Sequence, residues 1–302
     1  MTTQLLAVPS SGFDFGRETL ITWRYIRHNF SATVIPGSLF TLASVISAGK
    51  AGIPALLAVL SSLLFFFFYV YAFDTNAQSG DMETEDTMNK PDRPLPAGLV
   101  TREGALFRSR VGVLGLLGIG LAFGVSLWSV VWIISAGIYL FAPIGKHWAW
   151  KNANIAIGTF AMLMAAWSIG GGDPAFGLSW SFWTALICYP LISIQDFRDV
   201  EGDRAIGRNT LPMAIGDRAC RVLMVFCYAL APIYIHFTMF APFGMNQARW
   251  AAEIPPTVVL LFIAAWMPFA RSPRAMHRIY MFMPIWYIFH LTAAIIFAAT
   301  SR

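Results

Sequence analysis

Gln195-Asp196-Phe197-Arg198-Asp199-Val200-Glu201-Gly202-Asp203-Arg204 stands where an apolar run of membrane length, residues 176–196, gives out. Asp196, Asp199 and Asp203 recur at i, i+3 and i+7, one face of a helix leaving the bilayer. Charge beside hydrocarbon is costly, so acids at a membrane edge are functional candidates by default. Magnesium binds through a few carboxylates completed by water and phosphate oxygens, so this stripe suits a metal held against a diphosphate. Arg198, Arg204 and Arg208 would neutralise the leaving group. A solvated, salt-bridged helix end accounts for the same charge run, and the stretch alone does not decide between them.

A second stretch shifts the balance. Residues 74–92 hold Asp74, Asp81, Glu83, Glu85, Asp86 and Asp92, so two short segments carry ten of the sixteen acids in a chain that is 57% hydrophobic and 12% charged. This segment also lies at the end of an apolar run. Asp74, Gln78, Asp81 and Glu85 share a face if the helix continues, and Gly80 makes a break there equally acceptable. The prolines of Pro91 to Gly98 exclude helix interior and predict a stiff loop carrying Lys90 and Arg93 toward the same cavity.

A mean hydropathy of +0.61 over 302 residues places the chain among polytopic membrane proteins. Nine spans are predicted near 31–49, 52–76, 105–124, 126–144, 152–170, 176–196, 219–241, 254–270 and 278–299. That parity puts 18 of the 21 basic residues on one side, leaving Lys50, Arg249 and Arg302 on the other. The positive-inside rule makes the richer side cytoplasmic. The basic residues are scattered singly at helix ends, so topology explains the net charge of +5 better than nucleic acid does. Cys188, Cys220 and Cys227 have no metal or disulfide spacing. No cleavable signal peptide is read near Arg17, Arg24 and Arg27.

Four crossings separate the two clusters, so both face the cytoplasm and can share one cavity. They recur about 120 residues apart, each followed by Leu-Pro (Leu95-Pro96 and Leu211-Pro212). This hints at a duplicated four-helix unit, about 31–144 and 152–270, within one domain spanning 1–302.

These residues also carry a resemblance. Asn89-Lys90-Pro91-Asp92-Arg93-Pro94-Leu95-Pro96-Ala97-Gly98 resembles the N-x-P-x-R-P-I/L-P-x-G tail of the first motif in the UbiA superfamily of intramembrane prenyltransferases. Asp196 through Gly216 is similar to that superfamily's second motif, particularly in chlorophyll-synthase-like members. Tyr139 to Lys146, followed by Asn152 and Asn154, resembles its Tyr…Lys segment after span 4. The first motif departs from the usual N-D-x-x-D-x-x-x-D: counting back from Asn89 gives Gln78, Ser79, Met82 and Asp86. The form Asn76/Gln78 … Glu85-Asp86-x-x-Asn89-Lys90-Pro91 instead looks like UbiA-type terpene cyclases, which ionise a prenyl diphosphate and cyclise the cation without a second substrate.

The resemblance implies an all-α bundle of nine transmembrane helices with a central cavity open to the cytoplasm. It implies Mg2+ and a prenyl diphosphate, farnesyl or geranylgeranyl, with no nucleic acid and no obligate protein partner. Expected metal ligands are Asn76, Gln78, Asp81, Glu85, Asp86, Asp196, Asp199 and Asp203. Asp86, Asp196, Asp199, Asp203 and Tyr139 are the expected catalytic residues, and Lys90, Arg93, Lys146, Arg198, Arg204 and Arg208 the diphosphate ligands. Aromatic residues make up 15% of the chain, and their faces can stabilise a carbocation, although membrane proteins also place them in interfacial belts. His236 and His290 are read as local hydrogen-bonding residues. Prenyl transfer to an aromatic or lipid acceptor is the alternative activity; a transporter would explain buried acids but not two diphosphate motifs on one face.

Overall fold

The computed structural model describes residues 14–79 and 82–300. Its helices are α1 (Phe15–Ile26), α2 (Phe30–Ser47), α3 (Gly52–Gln78), α4 (Met82–Asn89), α5 (Arg102–Ala122), α6 (Ser126–Phe141), α7 (Trp148–Gly170), α8 (Pro174–Leu191), α9 (Asp196–Ala205), α10 (Leu211–Ile215), α11 (Asp217–Ile235), α12 (Gln247–Trp266), α13 (Pro273–Tyr280) and α14 (Phe282–Ala299). Among the described residues, eight stretches built on α2, α3, α5, α7, α8, α11, α12 and α14 are long and apolar enough to cross a bilayer. The shorter α6, 16 residues, is the ninth apolar helix; at 1.5 Å per residue it covers about 24 Å. The nine expected spans therefore correspond to eight full-length helices and one short one.

Local chemistry sets the boundaries. Asp173 caps α8 by accepting from Ala175 and Phe176 amides, and Pro174 occupies the first turn, where its missing N–H costs nothing. α7 ends at Gly171, whose φ of +76° is the left-handed conformation that glycine adopts freely. The junction between the third and fourth spans, nearly without polar residues, is a tight turn in which Gly124 takes a φ of +70°.

The spans pack in chain order around a ring, α2 on α3, α3 on α5, and onward through α6, α7, α8, α11 and α12 to α14, which returns to α2. α2 also packs on α7 and crosses the interior. Close approach depends on small residues: a Cβ on Gly112 of α5 would lie 2.8 Å from the Cα of Ala72 on α3. Without a hydrophobic difference between helix and lipid, such close packing holds a membrane bundle together. The core is aromatic, with Trp180, Trp286, Phe40, Phe65 and Phe240 fully buried.

Short helices collect at one end of the ring, here called the cluster face because both acidic segments lie there. α1 lies across it with Ile21, Tyr25 and Ile26 buried and Phe15, Leu20 and Trp23 exposed, the pattern of an interfacial helix. Arg108 of α5 donates to Glu18 of α1 at 2.5 Å and fastens it there. The first acidic segment does not continue as one helix. α3 stops at Gln78 with Ser79 as its C-cap, and the next described helix, α4, is Met82–Asn89; Gly80 itself lies outside the described residues.

Candidate functional site

A cavity of about 720 Å3 opens on the cluster face. α3 contributes Phe73 and Asp74 to its wall, α4 Glu85, and the proline-rich loop Lys90, Asp92 and Arg93. From the second half come Lys151 and Ile155 on α7, Arg198 and Asp199 on α9, and Arg208 just after it. The α1–α2 junction and α13 close the remaining sides. Eight Arg and Lys side chains face four carboxylates in this wall, an excess of positive charge that suits a polyanion.

Buried ion pairs organise it. Arg208, 5% exposed, donates to Asp203 at 2.9 Å and to Glu85 at 3.1 Å, so one guanidinium joins the two acidic segments. Lys151 lies 2.6 Å from Asp196 and 3.4 Å from Asp203. Arg93 reaches both oxygens of Asp86 at 2.8 Å and lies 3.7 Å from Asp74. The resulting i, i+3, i+7 stripe is buried as expected, with Asp196 and Asp203 fully inaccessible and Asp199 at 7%. A solvated helix end would expose these acids, so that bland reading fails.

Asp74 and Asp196 are alike in one respect. Asp74 accepts from Asn29 at 2.7 Å through Oδ1, and Asp196 accepts from Lys151 through Oδ1. Oδ2 of each is buried without a hydrogen-bond partner, as are both amide atoms of Gln78. Buried polar atoms are normally satisfied, so unpaired oxygens next to a charged cavity mark places for a ligand.

An aromatic column descends from this site. Arg208 sits 5.0 Å over the Tyr139 ring, Tyr139 stacks on Phe73 at 6.4 Å, Phe73 meets Trp132 at 5.9 Å, and Trp132 meets Tyr69 at 4.2 Å. Polar wall and aromatic column are continuous. His236 and His290 make the local bonds expected of them, to Glu253 at 2.9 Å and Thr184 at 3.0 Å.

Of the expected site residues, Glu85, Lys90, Arg93, Tyr139, Arg198, Asp199 and Arg208 line the cavity. Asp86, Asp196 and Asp203 stand behind them, paired to Arg93, Lys151 and Arg208. Gln78 is buried with both amide atoms unpaired and does not line the wall, and three more residues fall elsewhere. Lys146 is exposed and donates to the Ile206 carbonyl at 2.9 Å, while its own carbonyl accepts from Asn209 at 2.8 Å. It therefore clamps the chain on both sides of Arg208 from outside. Arg204 is exposed, about a quarter turn round α9 from Asp196 and Asp203, and Asn76 is half-buried and is not part of the cavity wall. Asp81 lies outside the described residues. Sequence reasoning did not select Lys151, Asp74, Asn29, Arg274 or Arg278 as site residues. Only Asp74 had a local signal, as the first acid of its segment.

Environment shifts several groups outside the spans. Burial pushes Lys90 below the ordinary lysine range, and Arg93 adds to the shift against the nearby acids. Burial raises the Glu85 carboxyl, reinforced by Asp203. Burial, followed by the charges of Arg93 and Lys90, holds His28 at about 4, so its imidazole adds no charge near neutrality.

The donor chemistry fits magnesium. All the anionic donors near the cavity are carboxylate oxygens, and Oδ2 of Asp74 and of Asp196 is free. Among the described residues no three acids, histidines or cysteines converge into a closed cage. Magnesium sites on phosphate substrates typically use one or two carboxylates and are completed by the substrate.

A ring of membrane helices enclosing a cation-rich pocket at one end defines a multi-pass integral membrane protein equipped for a polyanionic ligand. The model of the UbiA prenyltransferase family matches residues 37–286. Somaliensene A/B synthase of Streptomyces somaliensis is 30% identical over 279 residues, covering 92% of this chain and 93% of its own. The diterpene cyclase eriG of Hericium erinaceus is 31% identical over 297 residues, covering 92% and 88%. The polyprenyl transferase eriF of Hericium erinaceus also matches, 34% identical over 217 residues, covering 68% of this chain and 70% of its own. A solved UbiA homologue from Archaeoglobus fulgidus, bound to GPP and Mg2+, shares the fold with a TM-score of 0.64 at 16% identity, over 91% of this chain and 99% of its own. The chain belongs to the UbiA prenyltransferase family and is a membrane enzyme of that prenyl-diphosphate-using class.

Proposed function

We propose that this enzyme ionises a farnesyl or geranylgeranyl diphosphate in the cluster-face cavity and cyclises the cation to a terpene. The observation that carries the reading is Arg208, which ties Glu85 of the first segment to Asp203 of the second. Both segments thus serve one anion site. The aromatic column leads from that site into the bundle, where the isoprenoid tail would lie. Full-length likeness to a diterpene cyclase and a somaliensene synthase supports cyclisation. So does the first motif, in which Ser79 and Met82 replace acids.

The chemistry follows from the wall. Lys90, Arg93 and Arg208 bind the diphosphate oxygens, and their charge draws the electron pair onto the leaving group as the allylic C–O bond breaks. Magnesium, when bound, supplies further neutralisation of the departing diphosphate; Asp74 and Asp196 would hold it, with Asp86, Asp199 and Asp203 nearby. Tyr139 and Phe73 present ring faces to the carbocation, each worth up to about 2 kcal/mol when desolvated. An internal double bond attacks the cation, and a proton leaves to a weak base such as the released diphosphate. The basic bias supports a cavity mouth on the cytoplasmic side.

Membranes given farnesyl or geranylgeranyl diphosphate and magnesium, with no acceptor, should yield diphosphate and cyclic hydrocarbon in similar amounts by gas chromatography. Excess EDTA should stop both. Transfer to an aromatic or lipid acceptor is the second reading, favoured by the likeness of Asp196 to Gly216 to chlorophyll-synthase-like enzymes. Only open-chain alcohol without acceptor, at every chain length tried, would establish that alternative instead.

A further inference from the structure

α13 carries charge that the ion-pair network does not use. Most of the basic wall is neutralised internally: Arg27 by Asp92, Arg93 by Asp86, Lys151 by Asp196, Arg198 by Asp199 and Arg208 by Asp203. Arg274 and Arg278 line the cavity one helical turn apart and are exposed, with no ion-pair partner among the described residues. Their helix, Pro273-Arg274-Ala275-Met276-His277-Arg278-Ile279-Tyr280, contains no acid. It buries Met276 and Ile279, and His277 contacts Arg198 of α9 at 2.8 Å, which fixes this rim against the second acidic segment.

The surroundings say where the rim lies. Trp266 and Phe269, just before α13, are 55% and 76% exposed, as expected of side chains meeting lipid. Met281, just after it, lines the cavity and is 44% exposed. The rim therefore stands where bilayer and cavity meet. An amphiphile with its tail in lipid and its head at the interface would pass Met281 with the head beside two unpaired arginines.

We infer that Arg274 and Arg278 form a capture site for the diphosphate head of the membrane-dissolved prenyl substrate, acting before the head moves inward to Lys90 and Arg93. This rests on the function proposed above. The pair positions substrate for entry and does not touch the breaking bond. Rim charges act on association rate and its salt dependence more than on the bound state.

The test is stopped-flow tryptophan fluorescence of the whole protein in phosphatidylcholine nanodiscs, binding farnesyl thiodiphosphate, whose C–S bond resists ionisation. Arg274→Gln/Arg278→Gln should slow association roughly tenfold at low salt, flatten its dependence on ionic strength, and alter dissociation little. In turnover, KM should rise by about that factor while kcat falls far less, and Arg274→Lys/Arg278→Lys should restore most of the loss. Equal association rates in wild type and the Gln variant, or a fall in kcat alone, would overturn the capture site. A wild-type/variant difference appearing only when phosphatidylglycerol is added would assign the rim to a bilayer lipid and overturn it too. Failure of the wild type to bind the thiodiphosphate would instead count against the proposed function. Slowed binding in the variant, with no turnover in either protein, would support the rim and reject the reaction.

Discussion

At the residue scale, a single amide governs how Asp74 is presented. Asn29 holds Oδ1 at 2.7 Å and leaves Oδ2 free beside the cavity. A hydrogen bond to a charged group contributes about 1.5–3 kcal/mol. Asn29→Ala should therefore lower kcat/KM by roughly ten- to a hundredfold. Asn29→Asp, which sets two carboxylates against each other, should be worse than Ala; steady-state kinetics across the pair checks the order. Lys90 supports a pH prediction. Its pKa is lowered by burial and by Arg93, and a bound diphosphate would raise it. The complex then holds more protons than the free components at alkaline pH, so binding takes up protons there and weakens as pH rises. Titration calorimetry in two buffers of different ionisation enthalpy should show this uptake growing with pH and vanishing in Lys90→Met. The acids themselves were legible in the sequence because charge near hydrocarbon is rare. Asn29 was not, since nothing in Asn29-Phe30-Ser31 announces that it will meet Asp74 from 45 positions away.

At the element scale, the site is a set of short helices braced by cross-links. Arg208 follows α9 and reaches α4, so its removal strands the buried Glu85 and leaves Asp203 with only Lys151 at 3.4 Å. Breaking a buried pair by deleting one partner costs about 3–5 kcal/mol. Arg208→Ala should lose about that much in denaturant unfolding in detergent and release no diphosphate. Arg208→Lys should recover only part, because a point charge cannot serve both acids in the planar geometry of a guanidinium. The two lysines at the start of the second half form a contrast. Lys151→Ala should abolish activity by leaving Asp196 unpaired, whereas Lys146→Ala should cost only a fewfold, since Lys146 braces Ile206 from outside the wall. Diphosphate-release assays on both variants decide it. The i, i+3, i+7 pattern read α9 correctly; the end of α3 at Gln78 could not be read, because the sequence around Gly80 permits either course.

At the scale of the whole molecule, the basic bias makes a topological prediction. With the native cysteines replaced, Thr84→Cys and Arg204→Cys should label with an impermeant reagent from the cytoplasmic side. Ala48→Cys, at the other end of the bundle, should label from the opposite side. Labelling of the first two from different sides would be incompatible with a shared cavity. All three positions are exposed, so accessibility is not limited by burial.

By itself the sequence determined the class of molecule and the material of its site. Apolar runs of bilayer length have few ways to fold other than as spanning helices, because an unpaired backbone in lipid is too costly. Their parity alone brings both acidic segments to one face. Only the tertiary structure decided which cation answers which acid. Lys146 and Lys151 lie five residues apart with the same chemistry, yet Lys146 falls in the turn before α7, facing out, while Lys151 falls on the buried face of α7 toward Asp196. Arg274 and Arg278 likewise read as ordinary basic residues at a helix end until α13 folds back beside α9 and places them at the cavity mouth. Periodicity and hydropathy are local and survive in the sequence; the pairing of charges across 52 or 123 positions exists only once the ring of helices has closed.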